Sequence, residues 1–427
     1  MRGRVRDGAG ESPAHRTLAA VWHMEAARIT GMLTRLLRDL DRAEEIAQDA
    51  LLTALDVWPR SGIPECPAAW LTTIARNRAI DQLRHARLVE RTHAAHAAEL
   101  LGEQTSPAPS DEDIEDDVLR LMFIACHPVV PLEGRLALTL RLVGGLTVPE
   151  IARAFLVSEK TLQQRIVRAK RTLAEARVPF EVPGPEARAA RLGAVLEVVY
   201  LVFNEGYSAT AGEDWMRPGL CEEALRLGRM LAELAPEHPE VHGLVALMEL
   251  QASRERSRIG PQGEPILLME QNRASWDRLM IARGLAALAR AERLGSLGPY
   301  ALQAAIAACH ARATRAEDTD WPRIVALYDA LAQLEPSPVV ALNRAVAVSR
   351  AYGAEAALEI VDGLGTDSRL AQYHWLPSVR GDLLEQLGRH AEACAEYRRA
   401  MLLTRNRRER DVLLERIGRC ERATGTG

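Results

Sequence analysis

Apolar residues recur along most of this chain at spacings of three and four, which is the period of an amphipathic helix. In the segment that follows Ser158, Leu162, Ile166, Ala169 and Leu173 form a single apolar stripe. Alanine, leucine, arginine and glutamate, which favour helices, are abundant, whereas runs of β-branched residues are scarce. The pattern predicts an all-α chain and argues against a sandwich, a barrel or a parallel sheet.

Breaks in this pattern divide the chain into four parts. We predict a small helical domain in 15–93, an acidic flexible linker in 94–117, a short helical domain in 118–178 and a long helical array in 186–427. The linker carries eight acidic residues and no lysine or arginine, together with serine and proline. Such a composition is typical of a self-repelling tether.

Composition narrows the class of protein. The chain has 427 residues, of which 48% are hydrophobic and 26% charged, enough for two or three globular domains. No apolar stretch is long enough to span a bilayer, and no apolar segment follows the arginines of the N-terminus. The six cysteines form no CxxC pair. We therefore expect a reduced cytoplasmic protein with no signal peptide and no membrane contact.

Basic clusters flank the acidic linker on both sides. Two basic helical modules on one tether indicate two contacts with a single polyanion, such as a nucleic acid. The alternative is that each cluster is simply a solvated helix face, and the charges alone do not decide between the two. The clusters contain Arg76, Arg78, Arg84, Arg87 and Arg91 before the linker, and Arg153, Lys160, Arg165, Arg168, Lys170, Arg171 and Arg177 after it.

The segment 147–173 has the pattern of a helix-turn-helix. Thr147 and Glu150 have capping-box spacing, and Ser158 is suited to cap a second, longer helix. Arginine and glutamine side chains can make bidentate contacts with guanine and adenine in the major groove. The alternative is an ordinary helical hairpin with a polar surface. The predicted DNA-reading face consists of Lys160, Thr161, Gln163, Gln164, Arg165 and Arg168.

Two further polar faces are predicted in the first domain. The first is an acidic, amide-bearing face that suits a basic protein partner and consists of Asp41, Glu44, Glu45, Gln48 and Asp49. The second suits a nucleic-acid strand with a stacked, unpaired base, and consists of Trp70, Arg76, Asn77, Arg84 and Arg87. For the tryptophans Trp58 and Trp70, core packing is the competing interpretation.

The order of these segments resembles bacterial RNA polymerase sigma factors of the extracytoplasmic-function (ECF) type, in the sigma-70 superfamily. Segments 39–58 and 67–88 resemble region 2, and 132–173 resembles region 4. The resemblance implies that the acidic face docks on the clamp of core RNA polymerase. It implies that the Trp70 face reads and opens the −10 promoter element, and that the helix after Ser158 reads the −35 element. Such proteins usually have glycine in the turn where this chain has Leu156.

The long C-terminal array contains a repeat. Gly353 and Gly388 are 35 residues apart, and small residues recur at corresponding helix positions on both sides of them. These segments resemble tetratricopeptide repeats, and the whole chain resembles the sigma-factor subfamily with a C-terminal extension of this kind. That resemblance implies regulation in cis, with the extension contacting the sigma domains, polymerase or a signalling partner. We expect a signalling protein or a small ligand to bind this extension.

No nucleotide-binding loop, nucleophile elbow or paired-carboxylate site is evident, so we expect no enzyme activity, no cofactor and no metal. The runner-up function is a helix-turn-helix transcription regulator with a tetratricopeptide sensor domain, which would act without binding core polymerase. The acidic face and the Trp70 face argue for the sigma factor, because a plain regulator has no use for them.

Overall fold

The computed structural model describes residues 13–93, 111–155, 157–180, 185–208, 216–261, 264–295, 297–404 and 406–424. In these residues the secondary structure is helical, with an isolated bridge between Ile259 and Pro265 and no β-strand. The predicted all-α class is therefore confirmed. No helix in the described part of the chain is long and apolar enough to cross a membrane.

The chain divides into two compact units, Met1–Val198 and Val199–Gly427. The helices of the first unit are α1 (Pro13–Leu37), α2 (Leu40–Ser61), α3 (Pro67–His93), α4 (Asp111–Ala125), α5 (Leu132–Leu138), α6 (Val148–Ala154) and α7 (Glu159–Glu175). The boundary between the units falls within α8 (Pro185–Tyr207).

Helices α1, α2 and α3 share one apolar core. Ile29 and Leu33 of α1, Trp58 of α2 and Leu71 of α3 are buried in it, and alanines of α2 and α3 bring the helices close together. The Asp39 side chain caps α2 by accepting hydrogen bonds from the two backbone N–H groups that follow Leu40. This core gives α2 and α3 fixed outer faces.

Helices α4 to α7 continue the first unit. Residues 94–110 of the predicted linker lie outside the described residues, whereas 111–117 form the first turns of α4. Acidic residues favour the start of a helix because of its dipole, so the acid-rich end of the predicted linker is helical. Between α5 and α6 the backbone widens into a π-helical turn, Thr139–Val143.

The second unit is an array of antiparallel helices. They are α9 (Pro218–Leu234), α10 (Pro239–Ala252), α11 (Arg278–Leu294), α12 (Pro299–Arg312), α13 (Trp321–Leu334), α14 (Pro338–Tyr352), α15 (Ala354–Leu364), α16 (Trp375–Gln386), α17 (His390–Leu403) and α18 (Arg407–Thr424). Gly353 and Gly388 end corresponding helices with φ of 105° and 73°, where glycine avoids the strain of a side chain. The predicted 35-residue repeat thus marks two equivalent helix-to-helix turns of this array.

Candidate nucleic-acid interface

Helices α6 and α7 form the helix-turn-helix that the sequence predicts. The Glu150 carboxylate accepts hydrogen bonds from the backbone N–H and the hydroxyl of Thr147, both at 2.7 Å. The Ser158 side chain accepts one from the N–H of Thr161 at 3.1 Å. Both predicted caps are confirmed, and they fix where each helix begins. The turn residue Leu156 lies outside the described residues.

The polar face of α7 is largely open to solvent. Leu162 and Ile166 are buried on the opposite side. Helix α7 therefore packs on the core through its apolar side and exposes its polar side to solvent. Arg165 is half-buried, because its guanidinium lies 3.0 Å from the Glu133 carboxylate of α5. The exposed members of the predicted face are Lys160, Thr161, Gln163, Gln164 and Arg168.

Helix α3 carries the second predicted face. The Trp70 ring meets Trp58 edge-on at a centroid distance of 5.8 Å, with Trp58 buried and Trp70 half-buried. Core packing therefore accounts for Trp58 and for one side of Trp70. Asn77 and Arg84 are exposed and Arg76 is half-buried. The side chain of Arg87 lies outside the described residues, so its place on this face stays a prediction.

The acidic face lies on α2, where the structure separates its five residues into two groups. Asp41, Glu45 and Asp49 are exposed, whereas Glu44 and Gln48 are partly buried. Gln48 donates a hydrogen bond to Glu44 at 2.8 Å. The exposed Asp49 lies 3.4 Å from Arg78 of α3.

Two basic residues from distant parts of the sequence contact this acidic face. Lys170 Nζ of α7 lies 2.6 Å from Asp41 Oδ1 and 2.6 Å from Glu44 Oε2. Arg141 Nε, from the π-helical turn, donates to Glu44 Oε1 at 2.7 Å. Sequence reasoning placed Lys170 in a basic cluster but missed this pairing, and it did not single out Arg141 at all. No local spacing signals contacts between residues 97 and 129 positions apart.

The charges in this cluster stabilise one another. Burial raises the pKa of the Glu44 carboxyl, but Lys170 and Arg141 outweigh that effect and hold the pKa below its ordinary value of 4.5. Burial lowers the pKa of Lys170, but Glu44 and Asp41 more than reverse this and raise it. Both groups therefore remain charged at neutral pH.

A separate cavity of about 660 Å³ lies within the second unit. Its walls include residues of α14, α16 and α18, which are every second helix of the array. Several of the lining residues are aromatic. Tyr328, Tyr373 and Trp375 supply apolar surface, and Asn343 and Arg350 supply polar groups. This volume and this mixture of groups are typical of sites for small molecules. A second cavity shares the lining residues Tyr328 and Asn343 with the first, which we call the groove of the second unit.

The first unit thus presents one acidic face on α2 and two faces with basic and amide side chains, on α3 and α7. Comparison with protein families is more specific. Residues 22–89 match sigma-70 region 2, and 120–173 match sigma-70 region 4. Residues 191–292 match a family of unknown function, DUF6596. The chain belongs to the ECF sigma factors of the sigma-70 superfamily, with a C-terminal helical extension. Sigma factors are not enzymes.

Individual relatives cover different parts of the chain. An uncharacterized protein of Rhizobium meliloti (strain 1021) is 48% identical over 385 residues, which cover 89% of this chain and 90% of that protein. The ECF RNA polymerase sigma factor SigK of Mycobacterium sp. (strain KMS) is 28% identical over 156 residues, covering 35% of this chain and 76% of SigK. The crystal structure of yeast Tom70 aligns with 96% of this chain and 88% of its own, at 14% identity and a TM-score of 0.31.

Proposed function

We propose that this protein binds core RNA polymerase and directs it to promoters by contacting the −10 and −35 elements. The observation that carries the proposal is the solvent-exposed polar face of α7 on a capped helix-turn-helix, within a chain that matches sigma regions 2 and 4 in that order. The protein acts in the cytoplasm, where polymerase and DNA are found.

The three faces divide the work. The acidic face of α2 docks on the polymerase clamp, and the polar face of α7 reads the −35 element in the major groove. The α3 face holds the −10 strand through Arg76, Asn77, Arg84 and Arg87, while Trp70 presents its open side to an unstacked base. Capturing bases outside the stack favours melting, because unstacking itself costs only a few kcal/mol per base.

Neither DNA contact has to be tight on its own. When both modules are held on polymerase, each raises the effective concentration of the other at its promoter element. Arginine contacts with phosphates make binding dependent on salt, and contacts with base edges set the sequence that is recognised.

Run-off transcription with bacterial core polymerase and the protein's own upstream region tests this function. We expect a transcript from one defined start site that depends on the protein. No transcript and no association with core polymerase would overturn the proposal. If the protein alone then binds duplex DNA, it is a helix-turn-helix regulator instead.

We also propose that the C-terminal array regulates the sigma domains in cis. The array accounts for more than half of the chain, and a minimal sigma factor does not need it. The same assay, with a truncation after Arg177, distinguishes its two modes of action. A hyperactive truncation identifies the array as an inhibitor, an inactive one as a required part, and an unchanged one excludes regulation in cis.

The groove in the second unit is the proposed entry point for a signal, either a small ligand or a segment of a signalling protein. The indole of Trp375 is 40% exposed there, so it is a natural fluorescence reporter. A ligand bound in the groove will change the emission of the wild type, and that change will be lost in Trp375→Phe. A ligand whose effect on transcription survives Arg350→Ala and Asn343→Ala together acts elsewhere.

A further inference from the structure

The acidic face of α2 already has an occupant within its own chain. Asp41 and Glu44 both accept contacts from Lys170, and Glu44 also accepts from Arg141. The Arg141 guanidinium is held in turn by the carbonyl of Leu146, at 3.1 Å. These basic groups come from the helix-turn-helix module, so one module covers the Asp41–Glu44 end of the other's docking face.

This contact is more than a surface ion pair. The side chains of Glu44, Arg141 and Lys170 are only 13%, 16% and 14% exposed. Solvent-exposed ion pairs contribute little to stability. In a buried ion pair, by contrast, loss of one partner is strongly destabilising, because the other charge is left buried and uncompensated. Two carboxylates meet two cations in this cluster, so its charges balance. An external basic partner can pair with Glu44 only by displacing Lys170 and Arg141.

The backbones of the two modules also approach closely elsewhere. A Cβ atom placed on Gly31 of α1 would lie 2.8 Å from the carbonyl oxygen of Asp117 in α4, closer than real Cβ atoms come. Arg35 of α1 donates to the same Asp117 at 2.8 Å. The modules therefore pack against each other at α1 and α4 as well as at the ion-pair cluster.

We propose that Lys170 and Arg141 form an intramolecular latch that occupies the polymerase-docking face of α2, so that the two sigma modules must separate before the protein binds core polymerase. The inference rests on the proposed function, because that function makes α2 the docking face. Release of the latch exposes Glu44, frees Asp41 from its ion pair with Lys170 and separates α7 from α2 in the same step. The closed chain is thus a dormant form.

The first test measures the affinity of the full-length protein for core polymerase, in the absence of DNA. Lys170→Glu breaks the cluster without changing the docking face. We expect it to bind core polymerase on the order of tenfold more tightly than the wild type. This factor corresponds to a wild type in which closed molecules outnumber open ones about tenfold, because only the open form binds. Arg171→Glu is the matched control. It makes the same charge change on the same helix, at an exposed position outside the cluster and outside the DNA-reading face, and should bind as the wild type does.

The second test measures the separation of the modules directly. Cys66 is exposed and the other cysteines are buried, so a spin label attaches there, and a second label is placed on the exposed end of α7 by Glu175→Cys. We expect one short distance in the wild type and a longer, broader distribution in Lys170→Glu. Lys170→Arg keeps the positive charge opposite Asp41 and Glu44 and should keep the short distance. Gly31→Val opens the interface sterically and should lengthen it without any charge change.

The outcomes separate the two proposals. If the wild type and Lys170→Glu bind core polymerase equally and show the same distance, the latch is wrong while the sigma function stands. If Lys170→Glu and Gly31→Val both open the molecule but no form binds core polymerase, the docking function of α2 is wrong. Tighter binding by Lys170→Glu and Gly31→Val, but not by Arg171→Glu, supports the latch.

Discussion

His310, at the end of α12, is a histidine that folding keeps neutral. Its Nδ1 is buried without a hydrogen-bond partner among the described residues, and its ring meets Trp321 edge-on at 5.2 Å. Burial lowers its pKa, and the nearby charges of Arg254 and Arg273 lower it further, to about 3. Protonation therefore opposes the folded state of the second unit.

The free energy of unfolding of the second unit should consequently decrease as the pH is lowered. Above the ordinary histidine pKa of 6.5, both folded and unfolded forms are neutral at this site. Between 6.5 and about 3 the unfolded chain takes up a proton that the folded chain refuses, which costs up to about 1.4 kcal/mol per pH unit. Urea unfolding from pH 7.5 downwards will show this slope in the wild type. His310→Gln will show a shallower one, and equal slopes would contradict the assignment.

Single residues also show what the sequence can and cannot predict. The caps at Thr147 and Ser158 were predictable because each is a contact between residues three positions apart. The burial of Glu44 was not, because its two cations come from residues far along the chain. An acidic position on a helix surface looks exposed until the helix that covers it is known.

At the scale of elements, α7 is the part that should carry sequence discrimination. Gln163→Ala is expected to weaken binding of the polymerase holoenzyme to its own −35 element by about 1–3 kcal/mol while leaving a mutated element almost unaffected. Electrophoretic mobility shifts with both DNA duplexes measure this difference. Arg171→Ala is the control, because Arg171 is exposed on the same helix and is paired with Glu175. Equal loss on both duplexes would mean that Gln163 does not read bases.

The contact between α16 and α17 depends on a glycine. A Cβ placed on Gly381 would lie 2.6 Å from the ring of Tyr397, which is fully buried and donates its hydroxyl proton to Glu385 at 2.7 Å. Gly381→Ala should therefore cost about 1–3 kcal/mol through overpacking. Faster hydrogen exchange in α16 and α17 will report the loss. Gly363→Ala in α15 meets nothing within 4 Å and should leave exchange unchanged or slower.

The predictability of the elements follows the same logic as that of the residues. The helix-turn-helix and the two equivalent turns at Gly353 and Gly388 repeat a local pattern, so the sequence alone predicted them. The π-helical turn at Thr139–Val143 and the start of α4 at Asp111 were not predicted. A π turn has no period of its own in the sequence, and the acidic run before Asp117 looked like a tether because its packing partner, α1, lies about 80 residues earlier.

At the scale of the whole molecule, the sequence described two modules on a flexible tether, whereas the first unit is one packed body. Asp117 marks the difference. Its carboxylate is fully buried and accepts from Arg35 of α1 and from Arg120 of α4, both at 2.8 Å. Burial raises its pKa although both arginines act to lower it. Burying the negative charge of Asp117 therefore destabilises the fold, and Arg35, on the other side of the interface, reduces this destabilisation.

Removing Arg35 should loosen the first unit in a way that depends on pH. Arg35→Ala leaves a buried charge with one partner, which we expect to cost about 3 kcal/mol at neutral pH. It also raises the pKa of Asp117 further, so the folded form takes up a proton more readily than the unfolded form. The deficit should therefore shrink as the pH falls towards the ordinary aspartate value of 3.8. Hydrogen exchange in α1 and α4 at two pH values measures both effects.

The control variant is Arg60→Ala, which removes an ion pair of similar geometry between Arg60 and Asp56. The side chains of that pair are 76% and 60% exposed, so its removal should cost less than about 1 kcal/mol at either pH. A loss in Arg35→Ala that is equally small would mean that α1 and α4 are held together by apolar packing alone.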